Sequence, residues 1–107
     1  MFTKIFVDNR KLIDYCLNPH HPVGKHKARV FSSQLGLKRG DAHWLKKQII
    51  EKIKDADIEW GREDEYGKRG SAELELNKNN RQAHVKTIWI IKSGSEVLEL
   101  VTCYIIT

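Results

Sequence analysis

Three histidines, two lysines and an arginine crowd into Asn18-Pro19-His20-His21-Pro22-Val23-Gly24-Lys25-His26-Lys27-Ala28-Arg29, a segment that reads as the start of a helix. A helix N-terminus presents unpaired N–H groups and a partial positive charge. Cationic and titratable side chains placed there describe a phosphate site. Imidazoles beside a phosphate are also the groups that general acid–base chemistry at phosphorus uses. Lys27 sits beside Ala28 and four residues before Phe31, on the border of an apolar stripe. Held partly out of water, it either clamps a phosphate or covers apolar surface with its methylene stem. His21, before Pro22, either moves a proton or bonds a helix-end backbone group. Lys25, His26 and Arg29 supply further contacts for a polyanion.

The segment does not read as a metal centre. Cys16, His20, His21 and His26 are near one another in sequence, but two prolines break the run. No second cysteine or histidine pair stands nearby to complete a tetrahedral set. No glycine-rich nucleotide loop or serine-hydrolase signature is present either. The expected cofactor complement is therefore none. Cys16 and Cys103, far apart among apolar neighbours, read as buried free thiols rather than a disulfide framework.

Behind these residues stands a chain of 107 residues with 40% hydrophobic and 31% charged side chains, enough for one small core. The expectation is a single domain over 1–107. No apolar run is long enough to span a membrane, and Met1-Phe2-Thr3-Lys4 lacks the core of a signal peptide. The chain reads as cytoplasmic, or else as the end of something larger. Net charge is +5, unevenly spread. Residues 1–54 carry 12 Lys and Arg against 4 Asp and Glu, whereas residues 55–107 carry 7 against 10. A basic half fits either a polyanion-facing surface or a helical half solvated by its lysines.

The elements that must position these groups fall in two blocks. Asp8 suits the N-cap of a first helix, with Val7 stapled against Leu12; Asn18-Pro19 ends it. Pro22 is placed at or near the first turn of a second helix, which runs to about Leu35 and stops at Gly36. Asp41 is expected to cap a third helix with its stripe at Trp44, Leu45, Ile49 and Ile53. From Ile58 the period changes to that of strands, with Ile58–Trp60 a candidate strand opening. Gly61 to Gly70 reads as a charged loop, Ala72–Leu76 as a half-exposed strand and Asn77–Arg81 as a turn. Val85–Ile91 and Val97–Ile106 are the remaining strands. Helices followed by a meander imply an α+β fold, with N-terminal helices on a roughly four-stranded antiparallel sheet.

Thr87 and Thr102 fall at strand centres, where a hydroxyl either holds a phosphate oxygen or is an ordinary strand residue. Tyr66, Arg69 and Trp89 are candidate contacts for bases or phosphates, with plain core the alternative for Trp89.

The spacing Asn18-Pro19-x-His21-Pro22-x-Gly24-x-x-Lys27-Ala28-x-x-Phe31 is similar to the opening of a small uncharacterised bacterial family. Tyr66-Gly67, Val85-x-Thr87-x-Trp89 and Leu100-Val101-Thr102-x-Tyr104 resemble its later parts. That family resembles an outlier of the nuclease fold shared by barnase, EndoU, colicin D and RelE. The resemblance implies a metal-independent endoribonuclease toxin, of toxin–antitoxin or polymorphic type, leaving a 2′,3′-cyclic phosphate. It implies transfer or messenger RNA as partner, with a small acidic antitoxin or immunity protein. His21, Lys27, Thr87 and Thr102 would be catalytic; Lys25, His26, Arg29, Tyr66, Arg69 and Trp89 would bind substrate. Lys25-His26 stands where other members often carry a small or acidic pair, so the base is not identified. A non-catalytic RNA- or protein-binding module using the same basic helical face is the alternative.

Overall fold

The computed structural model describes residues 2–107. Its element order is β1 (Lys4–Phe6), α1 (Asn9–Lys11) running into a π-helical turn (Leu12–Cys16), α2 (Lys25–Leu35), a 3₁₀ turn (Arg39–Asp41), α3 (Ala42–Ile53), β2 (Glu59–Asp64), β3 (Gly67–Lys78), β4 (Arg81–Lys92) and β5 (Val97–Ile105). The strands form one sheet in the order β1-β5-β4-β3-β2. The helices lie on one face, α2 against β4 and β5 and α3 against β3. The fold is α+β, as expected, but the sheet has five strands and is mixed.

One strand escaped the sequence pattern, and another was read only at its start, Ile58–Trp60. β1 is three residues long and pairs in parallel with Val97–Glu99, too short for alternation to register. The supposed charged loop Gly61–Gly70 is instead a hairpin joining β2 to β3. Asp64 turns it: its carboxylate accepts from the Tyr66 and Gly67 amides and from Arg69. Those bonds hold the Asp64 carboxyl below its ordinary pKa, the Tyr66 amide contributing most.

The helix ends also differ from expectation. Asp8 does cap α1, accepting from the Arg10 amide at 2.9 Å, but α1 lasts only to Lys11 before widening into the π turn. Pro22 lies in the turn before α2, which begins at Lys25. Asp41 closes the 3₁₀ turn by accepting from the Lys38 amide and makes no side-chain cap on α3. Gly36 ends α2 as expected, at φ 69°. The Gly36 amide returns to Ser32 and the Leu37 amide to Phe31, which satisfies the last carbonyls and turns Leu37 into the core.

The core is a single layer of contact. Phe31, Leu35, Leu45, Ile49 and Ile53 from the helices meet Leu74, Leu76, Val85, Trp89, Leu98 and Leu100 from the sheet, all essentially inaccessible. β3 and β4 are joined by Asn79-Asn80, both at positive φ, which suits the twist of a tight hairpin. On β5 the register slips. Ile88 pairs with Thr102 and Trp89 with Leu100, so Val101 is an extra residue. A bulge of this kind bends the strand and re-aims the next side chain. It falls beyond the three residues that β1 covers, where β5 lies against the π turn and α2.

Thr87 and Trp89 are both fully buried. The Thr87 hydroxyl donates to the Ala72 carbonyl at 2.8 Å and accepts from the Trp89 indole at 2.7 Å. Thr87→Val keeps the shape but strands that indole N–H. It should cost about 1–3 kcal/mol of stability, read by chemical denaturation.

Candidate functional site

The motif around Pro19 and Pro22 is a device for setting one lysine against one tyrosine. Asn18 opens it, its side-chain oxygen accepting from the His20 amide and its amide nitrogen donating to the Asp14 carbonyl. His21 then turns the chain: its Nδ1 accepts from the Val23 and Gly24 amides at 3.0 and 2.9 Å. That fixes the imidazole with its proton on Nε2. The His21 carbonyl accepts from Lys25. The Val23, Gly24 and Lys25 amides are thus already used and cannot cradle a phosphate. The His21 ring meets the Tyr15 ring edge-on, centroids 4.8 Å apart.

Gly24 is where the two segments touch. A Cβ there would stand 2.3 Å from the Tyr15 carbonyl oxygen and 3.1 Å from its ring. Only glycine permits this approach. Three residues on, Lys27 Nζ donates to Thr102 Oγ1 at 2.8 Å and to the Tyr15 hydroxyl at 3.2 Å. It lies 4.5 Å from the Tyr15 ring centre and 5.8 Å from that of Tyr104, an arrangement that stabilises a cation. Among the described residues no carboxylate comes within salt-bridge distance of it. Lys27 is partly buried and lines a small open pocket of about 340 Å³ with His26, Val30, Tyr104 and Ile105.

Two backbone irregularities converge here. The π turn supplies Tyr15 and Cys16, and the bulge supplies Thr102. Both kinds of irregularity collect at functional sites. Cys16 completes the arrangement. Its Sγ is 3.8 Å from Thr102 Oγ1 and accepts from the Cys103 thiol at 3.8 Å. With Lys27 donating to Thr102, the Thr102 proton is free to point at the sulfur. Cys103's donation, then Thr102 and the Lys27 charge, outweigh burial and bring the Cys16 thiol down to about 6. Cys103, wholly buried beside that sulfur, moves up instead. Both cysteines are free.

The structure therefore brings together Lys27, Thr102 and His26, and joins His21 to them through Tyr15. It separates the others. Thr87, spent on Ala72 and Trp89 inside the core, cannot share a phosphate with Thr102 across the sheet. Trp89, equally buried, offers no stacking face. Tyr66 is well exposed, but in the β2–β3 turn beside Ser93; Arg69 is paired with Asp64 there at 3.0 Å. Both sit beyond β4 from Thr102 in the sheet. Lys25 and Arg29 lie on the opposite flank of α2 from His26 and Val30, in a larger groove. Tyr15 and Tyr104 were missed as site residues. The usable signal for Tyr15 was Gly24, a glycine at a helix start whose φ of −69° does not itself require one.

A protein-family model described as "Domain of unknown function (DUF6883)" matches residues 2–107. No curated protein and no solved structure matches the chain. No helix among the described residues is long and apolar enough to cross a membrane.

The Cys16 thiolate has a pH signature. Folded, it ionises near pH 6; unfolded, near the ordinary thiol value of 9.0. Between them the unfolded chain binds the extra proton, so stability should rise with pH across this window and be lost as pH falls through about 6. Cys103 opposes this only above the ordinary thiol value. Ultraviolet thiolate absorbance should titrate at the lower value, vanish in Cys16→Ser, and move to higher pH in Lys27→Met, which removes the stabilising cation.

Proposed function

The chain belongs to the DUF6883 family, whose description names no activity, and from its own geometry we propose that it is a metal-independent endoribonuclease acting as a bacterial toxin. The observation that carries this reading is the Lys27 ammonium. It is held by two neutral hydroxyls, unpaired with any described carboxylate, and set at the edge of an open pocket. With two N–H groups spent on Thr102 and Tyr15, the third remains for a phosphate oxygen.

In the proposed reaction the 2′-hydroxyl attacks the adjacent phosphorus and the 5′-oxygen leaves, giving a 2′,3′-cyclic phosphate. Lys27 stabilises the charge that builds on the phosphorane. His26, in the same pocket, takes the 2′-hydroxyl proton, and the Tyr104 phenol returns one to the 5′-oxygen. Thr102 and Tyr15 hold the ammonium. His21, with Nδ1 committed to the backbone, positions Tyr15. Phosphate and the Cys16 thiolate draw on one cation, so binding one weakens the hold on the other. Transfer or messenger RNA in the cytoplasm is the proposed substrate. A small acidic antitoxin or immunity protein covering the basic helical face would restrain the activity. The second reading, a non-catalytic RNA- or protein-binding module, is favoured by the cationic groove on the other flank of α2.

Purified protein incubated with transfer RNA should leave cyclic-phosphate ends. Lys27→Met should lower kcat about 10²–10³-fold, as loss of one preorganised donor does. Thr102→Val and Tyr15→Phe should lower it less, and Thr87→Val should spare it in the protein that remains folded. Wild type cutting no faster than Lys27→Met would end the enzyme reading and leave the binding module.

A further inference from the structure

Between α2, the Leu17–His20 segment and the Leu37–Gly40 segment runs a groove of about 730 Å³. We propose that it holds one unstacked nucleotide of a single-stranded RNA, base on the floor and phosphates on the rim; this rests on the ribonuclease reading and names its substrate class. The floor is apolar: exposed Pro19 lies beside Leu17, Ala28 and Leu37, which are themselves buried in the core. The rim is cationic: Lys25 and Arg29, one helical turn apart on α2, face Lys38 and His20. Among the described residues no aspartate or glutamate lines it. Lys25, Arg29 and Lys38 are exposed and have no acidic partner among the described residues. Arg39, at the groove's end, is already tied to Asp14 and the Ile13 carbonyl.

This combination selects a single strand. A-form duplex offers phosphates and sugar hydroxyls while its bases stay stacked inside. It would satisfy the rim and leave the exposed Pro19 ring in water. An unstacked nucleotide covers both, and the volume lies within the range of pockets that enclose small ligands. The groove and the Lys27 pocket are separated only by α2. A strand crossing the first turn of that helix passes from Lys25 to His26 and Lys27. The groove then grips a nucleotide neighbouring the scissile one and sets the register of the cut.

The test is binding without turnover. Wild-type protein is titrated by fluorescence anisotropy with a 2′-O-methyl oligouridine, which carries no attacking hydroxyl. The same titration is run with a duplex of equal length and with an abasic strand of equal charge. The single strand should bind about tenfold or more tighter than either, the abasic strand losing what stacking on the floor provides. Lys25→Glu with Arg29→Glu should weaken binding and lower the salt slope by about two. Equal affinity for duplex or abasic strand, or an unchanged charge-reversed double variant, overturns the proposal. So does the absence of binding at low salt, which would leave the groove to an acidic protein surface. Binding with this preference but no cutting of unmodified RNA defeats the ribonuclease reading alone. Cutting with an unchanged KM in the double variant defeats the groove alone.

Discussion

One hydrogen bond, Lys27 Nζ to Thr102 Oγ1 at 2.8 Å, joins the helical half of the molecule to the sheet at the point where both depart from regular geometry. A lysine ammonium is costly to take out of water without partners. Here two hydroxyls and two aromatic faces share the work, and a sulfur lies one hydroxyl further in. Among the described residues no carboxylate quenches the charge locally. The consequence is a cation stabilised well enough to stay folded against the sheet and still able to accept an anion.

The supporting architecture is explained by that requirement. Thr102 faces the lysine because Val101 is one residue too many for the β4 partner strand. Tyr15 arrives at the ammonium because the π turn widens the first helix just before the chain leaves it. Lys11 bonds the Val101 carbonyl at 3.2 Å, occupying a backbone acceptor on the stretch of β5 that β1 leaves open. His21 uses its imidazole as a cap and its ring as a wall for Tyr15. The asparagine, histidine and glycine of the motif thus have structural duties, and the lysine is what they deliver.

Much of this was legible in the sequence, and the failures have physical reasons. The stripe Ala28, Phe31, Leu35 and the stop at Gly36 gave α2 its true buried face, because helical period and a C-terminal glycine are local signals. Alternation puts Thr87 on one face with Val85, Trp89 and Ile91, but it cannot say which face of a sheet is covered. The covered face was theirs. Thr102 follows the extra residue Val101, so counting by twos from Leu98 and Leu100 cannot give its direction. Tyr15 had no pattern to reveal it, since a π turn leaves no period. The acidic and basic residues from Gly61 to Gly70 looked like a solvated loop because β2 is an edge strand, where charge is the normal protection.

The distance in sequence between the two ends of that central bond has a consequence for the life of the chain. Lys27 and Thr102 are 75 positions apart, and β1 finds its partner only in β5. Closing so wide a loop is an entropic cost met late in folding. While a ribosome is still making this polypeptide, the lysine has been synthesised but nothing holds its ammonium in place. Any product that stops before Thr102 stays in that unassembled condition. The ammonium thus acquires its setting only after translation has passed β5.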